Sequence, residues 1–299
     1  MRIGVTGGTG FIGQYFLREY AGEHQFAVIT SRDDMTGLYQ HPCVNYVRKS
    51  YDKQGFESVF SDCEGIVHLG AKRSTKEREE SIMNYSENLR VAEALFDACT
   101  DLGIRNIINI SSTAVYDTTL PYPFREVEAT APLSNYGIVK HAIEGIAHLY
   151  NMKKDTNIKS LRVAQVLGVG ERAGYMLSVF QDRCLKQQKL SVYGTGSAGR
   201  EYIYVKDVAY AIMCALNSEH ESGIYNIGMG SLTTNLELAR CFCKVFENLA
   251  GYEQLLDKPE STECFLMDGA LAEEKLGFHA RYTLSEALSD MKRILENED

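Results

Sequence analysis

The chain has 299 residues, 44% hydrophobic and 24% charged, enough to bury a large core in one large or two modest domains. Its net charge of -9, with no basic block to offset it, argues against a nucleic-acid-binding role. No apolar run reaches membrane-spanning length and the first strand opens at residue 2, so neither a membrane span nor a signal peptide is expected.

Arg2-Ile3-Gly4-Val5-Thr6 reads as a strand, and residues 14–20 continue a helix. Between them stands Gly7-Gly8-Thr9-Gly10-Phe11-Ile12-Gly13. In a strand–turn–helix setting one glycine allows a tight turn, one lets backbone approach a pyrophosphate, and one lets helix and strand pack closely. The helix N-terminus then offers unpaired N–H groups and a positive dipole end. A glycine-rich hairpin is the other reading, but the flanking strand and helix favour a nucleotide site at Gly7, Gly10, Phe11, Ile12 and Gly13.

Phe26-Ala27-Val28-Ile29-Thr30 is a second strand. A domain that prefers NAD usually ends this strand on an acidic residue, whereas a nearby basic residue suits a 2′-phosphate. Here Thr30 takes the acidic place and Ser31-Arg32 follow, a hydroxyl and a guanidinium suited to phosphate. Asp33 and Asp34 come next, and a solvated turn is the competing reading. NADP is the expected cofactor, with NAD as the alternative.

Val44-Asn45-Tyr46-Val47 is a third strand, and Tyr51 beyond it is placed to cover an adenine ring. Gly65-Ile66-Val67-His68-Leu69 is nearly all apolar, as in a sheet covered on both faces. Leu69, Gly70 and Ala71 lie where a cofactor backbone would pass, and His68 reads as a satisfied core histidine. Lys72 and Arg73 open a charged, solvated loop and are placed to meet an anionic ligand. Residues 89–99 have helical spacing. Asn106-Ile107-Ile108-Asn109-Ile110 is a fifth strand, with Ser111-Ser112-Thr113 at the edge where open α/β sheets bind ligands. Pro121, Pro123 and Pro132 mark a surface loop before Tyr136-Gly137-Ile138-Val139-Lys140 opens a helix, and residues 160–166 form a sixth strand.

This alternation predicts an α/β fold, a doubly wound parallel Rossmann sheet over residues 1–166. The pattern changes after Gly168: a loop over 169–173, a helix led by Tyr175-Met176-Leu177, a strand over 190–196 ending in a glycine turn, and another over 201–205 with Asp207 as N-cap of the next helix. A short strand at Tyr225-Asn226-Ile227-Gly228 and helices over 236–246 and 284–295 complete it. Residues 167–299 are expected to form mainly a smaller, mixed α/β substrate-binding lobe, with 203–219 returning to the first domain. Eight cysteines include no C-x-x-C, and Cys63, Cys99, Cys184 and Cys214 sit in apolar segments. Reduced thiols in a cytoplasmic protein are expected, with no metal site and no disulfide framework.

Tyr136 and Lys140 stand at i and i+4 and share a helix face. A tyrosine, with a pKa near ~10, is a poor base at neutral pH. An ammonium beside it stabilises the phenolate, so the phenol can take a proton from an alcohol or return one to a carbonyl. Ser112, at the facing strand end, can orient the substrate oxygen. Tyr-x-x-x-Lys alone is common by chance; its weight comes from following a dinucleotide-binding half and a serine-rich strand end.

At these residues the chain resembles the extended short-chain dehydrogenase/reductases, of the NAD-dependent epimerase/dehydratase type that acts on nucleotide sugars. The resemblance is carried in order by Thr6-Gly7-Gly8-Thr9-Gly10-Phe11-Ile12-Gly13, His68-Leu69-Gly70-Ala71, Asn88 and Ser111-Ser112-Thr113-Ala114-Val115-Tyr116. It continues through Tyr136-Gly137-Ile138-Val139-Lys140, Leu161-Arg162, the run from Arg200 to Ala209, Tyr225-Asn226-Ile227-Gly228 and Leu276-Gly277. It implies that Ser112, Tyr136 and Lys140 are the catalytic triad, with Tyr136 as acid/base and Lys140 also on the nicotinamide ribose. Asn88 would steady the network around the cofactor, Arg200 would grip the diphosphate of a nucleotide sugar, and Tyr193 would pack its base or ribose. A surface ion pair with Glu201 is the other reading of Arg200. Thr113 and Gln165 complete the implied substrate contacts, and a homodimer through helices near 89–99 and 136–150 is expected.

Three departures narrow the chemistry. Thr113-Ala114 replaces the Asp-Glu pair of the dehydratases, so water elimination lacks its acid and base. Asp117 stands in place of a glycine near the substrate, and Gln165 in place of an asparagine that contacts the diphosphate. The expected activity is reduction of a 4-keto nucleotide sugar by NADPH. A nucleotide-sugar epimerase with retained NAD is the alternative, and a non-catalytic NADP sensor a third reading, disfavoured by the presence of both Tyr136 and Lys140.

Overall fold

A computed structural model of the chain describes residues 1–72, 81–128, 130–218, 221–260 and 263–297. The first half runs β1 (Arg2–Thr6), α1 (Phe11–Tyr20), β2 (Gln25–Thr30), β3 (Val44–Arg48), α2 (Lys53–Phe60), β4 (Gly65–His68), α3 (Ser86–Asp101), β5 (Asn106–Ser112), α4 (Asn135–Lys153) and β6 (Asn157–Val163). The second runs β7 (Gln165–Leu167), α5 (Met176–Leu185), β8 (Leu190–Tyr193), β9 (Gly199–Tyr204), α6 (Val205–Asn217), β10 (Gly223–Ile227), β11 (Leu232–Thr234), α7 (Asn235–Val245), β12 (Tyr252–Leu255), β13 (Cys264–Phe265), α8 (Ala270–Leu276) and α9 (Leu284–Asn297).

Seven parallel strands form the central sheet, in the order β10-β6-β5-β4-β1-β2-β3. Successive side chains of a strand point to opposite faces. Ile3, Val5 and Val28 therefore pack with Phe16 and Leu17 of α1 and Ile212 of α6. Ala27, Ile29 and Ile66 pack on the other face with Phe56 and Phe60 of α2 and Phe96 of α3. Both faces are covered, which explains the unbroken apolar runs. The winding reverses between β1 and β4, and ligands of such sheets bind outside the carboxyl ends at that point. Gly7 leaves β1 there, and Leu69-Gly70 leave β4.

β10 corrects the reading of Tyr225-Asn226-Ile227-Gly228 as part of the second lobe: it is the edge strand of the main sheet, with Tyr225 opposite Leu161. Asp207 is not the N-cap of α6, which starts at Val205 after Tyr204 without a side-chain cap. The Asp207 carboxylate lies in the first turn and accepts from the backbone N–H groups of Arg281 (2.9 Å) and Tyr282 (3.2 Å). α6 packs on α1, against the first-half sheet.

The chain crosses from the main sheet to a second one within two residues, from Val163 of β6 to Gln165 of β7. β7 pairs with β9, Gln165 opposite Tyr202, and β9 also takes β11 and β13. A third core, with Leu177, Phe180, Phe242 and Leu288, binds α5, α7 and α9 to this layer. Among the described residues no helix is long and apolar enough to cross a membrane, and no group of three His, Cys, Asp or Glu is placed to hold a metal ion. All eight cysteines are free thiols.

Candidate active site

The glycine loop is built by contacts that leave no space for side chains. Gly7 has a φ of +70°, and a Cβ there would lie 2.6 Å from the Gly70 nitrogen. A Cβ on Gly13 would lie 2.5 Å from the Gly7 carbonyl oxygen. The first intrahelical bond of α1 runs from Gln14 N to Gly10 O, and Gly10 carries no side-chain cap. The N–H groups of Phe11, Ile12 and Gly13 thus precede the helix ladder, where an anion is stabilised. Beneath the loop Thr6 Oγ1 pairs with His68 Nδ1 at 2.7 Å and accepts from Gly70 N at 3.2 Å. His68 is fully enclosed, and burial, with Lys140 nearby, depresses its pKa to about 3, so it stays neutral.

A cavity of about 350 Å³ opens over this loop. It is lined by Gly7, Gly10, Phe11, Ile12, Gly13, Leu69 and Ala71, and at its far end by Ser112, Thr113, Tyr136, Lys140 and Gln165. A second cavity, of about 770 Å³, shares Ser112, Thr113, Tyr136 and Gln165 and extends to Arg200. The three residues of the expected triad therefore line one cavity, and Ser112 and Tyr136 stand where it meets the other.

Local chemistry explains this convergence. Ser134 caps α4 by accepting from Gly137 N (3.1 Å), which puts Tyr136 in the first turn. A Cβ on Gly137 would lie 2.0 Å from the Ala114 carbonyl oxygen. Only glycine lets the start of α4 rest on the turn that follows Ser112, and this apposition sets Tyr136 opposite the strand end. Ser112 Oγ accepts from Ala114 N (3.2 Å) and so shapes that turn. Lys140 is buried, its Nζ donates to Ile110 O at 2.6 Å, and it lies 5.9 Å from the Tyr136 ring centroid. One turn further on, Glu144 accepts from Ser111 Oγ (2.5 Å) and from Nε and Nη2 of Arg162 (3.0 and 2.8 Å). Tyr136, Lys140 and Glu144 recur every fourth residue, so one stripe of α4 faces β5 and β6.

Other expected site residues lie elsewhere. Lys72 lines neither cavity; its ammonium pairs with Glu87 at 3.0 Å, and Arg73 lies outside the described residues. Asn88 is buried behind the site, where its amide accepts from Lys72 N (2.7 Å) and donates to Lys72 O (2.9 Å), pinning the chain beyond β4. Tyr193 ends β8 opposite Leu255 of β12, is 55% exposed and lines neither cavity. Tyr51 is half-buried, edge-on to Phe56, with its hydroxyl donating to Ile29 O (3.0 Å). Ser31 and Arg32 are exposed after β2 and outside the cavity lining, and Arg32 N donates to Thr30 Oγ1. Asp33 pairs with Arg48 (2.5 Å), and Asp34 accepts from Thr36 N (2.8 Å). Asp117 bonds Thr119, while Thr118 lines the substrate-side cavity.

Arg200 is not paired with Glu201. The Glu201 carboxylate is buried and accepts from Gly230 N (2.7 Å) and Met267 N (2.9 Å). Burial raises its pKa from 4.5 to about 7 despite these bonds. Stability from this group is whole below pH 4.5 and is lost as pH rises through about 7, by at most about 3 kcal/mol. His68 has the opposite sign: its stability is whole above pH 6.5 and is lost as pH falls toward 3. The two offset between pH 4.5 and 6.5. Glu201→Gln should therefore remove a decline of about 1 kcal/mol that the unaltered protein shows between pH ~6.5 and ~8 in denaturant unfolding. An equal decline in the variant contradicts the assignment.

Sequence reasoning missed the loop after β7. Glu171, Arg172 and Tyr175 line the cofactor-side cavity, and Arg172 and Tyr175 line the substrate-side one as well. The spacing of Gly168, Gly170 and Gly174 around charged residues at the sheet edge was the available signal.

Residues 3–228 match the model of the NAD dependent epimerase/dehydratase family. The chain is 30% identical to a putative UDP-glucose 4-epimerase of Methanocaldococcus jannaschii, over 98% of each chain. It is 26% identical to a dTDP-4-dehydro-6-deoxyglucose reductase of Escherichia coli, over 77% of each. The crystal structure of a UDP-N-acetylglucosamine 4-epimerase from Bacillus cereus superimposes with a TM-score of 0.87 at 29% identity, over 99% of both chains. With a family match over most of its length, and a cleft lined by the residues that carry the resemblance, the chain belongs to the NAD dependent epimerase/dehydratase family.

Proposed function

We propose that the chain moves a hydride between a nicotinamide dinucleotide and a ring carbon of a nucleotide sugar. The observation that carries this reading is the convergence of Ser112, Tyr136 and Lys140 on the cavity above the glycine loop. The glycines that a Cβ would crowd, and the N–H groups at the start of α1, fit a dinucleotide pyrophosphate there. When bound, the nicotinamide supplies the hydride acceptor or donor. The Tyr136 phenolate takes the proton of the sugar hydroxyl as hydride leaves, and the hydroxyl so formed returns it in the reverse direction. The Lys140 ammonium stabilises the phenolate, and its bond to Ile110 O fixes it there. Ser112 Oγ donates to the substrate oxygen as charge develops on it. Thr113-Ala114 offer no acid or base for dehydration.

Two reactions use these groups. Epimerisation with retained NAD is supported by the full-length similarity to proteins described as 4-epimerases. Net reduction of a 4-keto nucleotide sugar by NADPH is supported by the loop after β2, where Asp33 and Asp34 have other partners and leave Ser31 and Arg32 for a 2′-phosphate. A panel of nucleotide sugars and their 4-keto forms separates them. Sugar inversion without net cofactor change means epimerase, and stoichiometric NADPH loss means reductase. No change with any member defeats both and revives the non-catalytic sensor. Arg32→Asp is expected to weaken NADPH about 10- to 100-fold while NADH changes less than about 3-fold in fluorescence titration. Equal effects on both remove the NADP assignment.

The resemblance to a dimeric family gives α3 and α4 as the subunit interface. In support, the two helices pack together, and α4 leaves Leu149 and Met152 exposed. A cytoplasmic location agrees with eight free thiols.

A further inference from the structure

Resting on the nucleotide-sugar reading, we infer that Arg172 is a specificity-determining residue that grips a carboxylate on the sugar ring, so that the preferred substrate is a nucleotide sugar acid.

The loop that carries Arg172 is anchored on the dinucleotide-binding helix. A Cβ on Gly168 would lie 2.9 Å from the Phe11 ring, and the Tyr15 hydroxyl donates to Val169 O at 3.2 Å. Beyond this anchor the backbone turns at Gly170 (φ +91°) and Gly174 (φ +89°), conformations that side chains rarely adopt. The turns project Arg172 and Tyr175 over the junction of the two cavities.

The charges there leave Arg172 uncompensated. None of the ion pairs among the described residues includes its guanidinium, which rests 6.0 Å from the Tyr175 ring centroid. Its neighbour Glu171 accepts from Gln165 Nε2 at 3.1 Å. Glu201 is held by backbone N–H groups, and Glu263 lines only the cavity that holds Arg200. The cleft thus has two arginines at different depths. Arg200 lines only the substrate-side cavity, whereas Arg172 also lines the cavity that contains Tyr136 and Lys140. An anion on Arg172 therefore sits near the reacting end of the substrate. A guanidinium binds a carboxylate through two parallel N–H bonds, which neutral hydroxyls cannot replace once water leaves the cleft.

The test measures affinities of the full chain for UDP-glucuronic acid, UDP-glucose, UDP and NADH by calorimetry, before and after Arg172→Gln. The unaltered protein should bind UDP-glucuronic acid more tightly than UDP-glucose. Arg172→Gln should lower the affinity for UDP-glucuronic acid about 10- to 100-fold and change the other three less than about 3-fold. An equal loss for UDP assigns Arg172 to the diphosphate, and a loss for NADH assigns it to the cofactor; either overturns the inference. No loss for any ligand makes Arg172 a solvated loop residue and overturns it as well. Binding of NADH but none of the three uridine ligands by the unaltered protein defeats the nucleotide-sugar reading itself, and the inference with it.

Discussion

Tyr136→Phe is expected to bind the dinucleotide as the unaltered protein does and to lose about 10²- to 10⁴-fold in turnover. The ring would still pack beside Tyr85, 6.2 Å away between centroids, and the cap of α4 by Ser134 does not involve the phenol. What disappears is the only tyrosine hydroxyl, among the residues lining the cofactor-side cavity, that stands beside Lys140. Cofactor titration and steady-state turnover check the two halves separately. Turnover within a few-fold of the unaltered rate would remove Tyr136 from the mechanism, and lost cofactor binding would make its role structural.

Glu144→Ala should cost about 3–5 kcal/mol of stability, the cost of leaving a buried charge without its partner. Glu144 and Arg162 are each about 1% exposed in their side chains and share two hydrogen bonds. Removing the carboxylate strands the guanidinium over the Tyr116 ring, 4.7 Å from its centroid, with the Glu126 carbonyl as a remaining acceptor. Ser111 loses its acceptor as well, so the strand end before Ser112 loosens from α4. Denaturant unfolding measures the loss. Replacing Glu144 and Arg162 together with apolar residues of similar volume should recover much of it, because the stranded charge is then gone. A cost below about 1 kcal/mol for Glu144→Ala would mean that water or another acid reaches Arg162.

The parts of the fold legible in the sequence were those written in local patterns. The glycine loop between strand and helix and the Tyr136–Lys140 spacing each sit within a dozen residues, and the structure has them as read; the strand read over 160–166 instead breaks at Ala164, where the chain passes to the second sheet. Long-range pairing was not legible. β10 joins β6 across some sixty residues of chain, and nothing within Tyr225-Asn226-Ile227 names Leu161 as a partner. Asp207 has the local form of a helix cap, but the N–H groups of Arg281 and Tyr282, far along the chain, claim its carboxylate. Short α2 was hidden by Gly55, a poor helix former kept because a Cβ would lie 2.0 Å from Ser50 O. Within the site, the charged run after β4 pointed to Lys72, which pairs with Glu87, and the family pattern to Tyr193, which lines neither cavity. It did not point to Arg172, because that loop owes its place to packing on Phe11 and Tyr15.

The central claim is that hydride passes between the nicotinamide and the sugar in the cavity that Ser112, Tyr136 and Lys140 line. The direct measurement supplies a nucleotide sugar deuterated at C4, together with oxidised cofactor, and follows the label by mass spectrometry over single turnovers. Deuterium on the nicotinamide, or returned to the same carbon of the inverted sugar, is the result expected. Exchange of the label into solvent during sugar conversion, with none ever on the cofactor, would contradict the account.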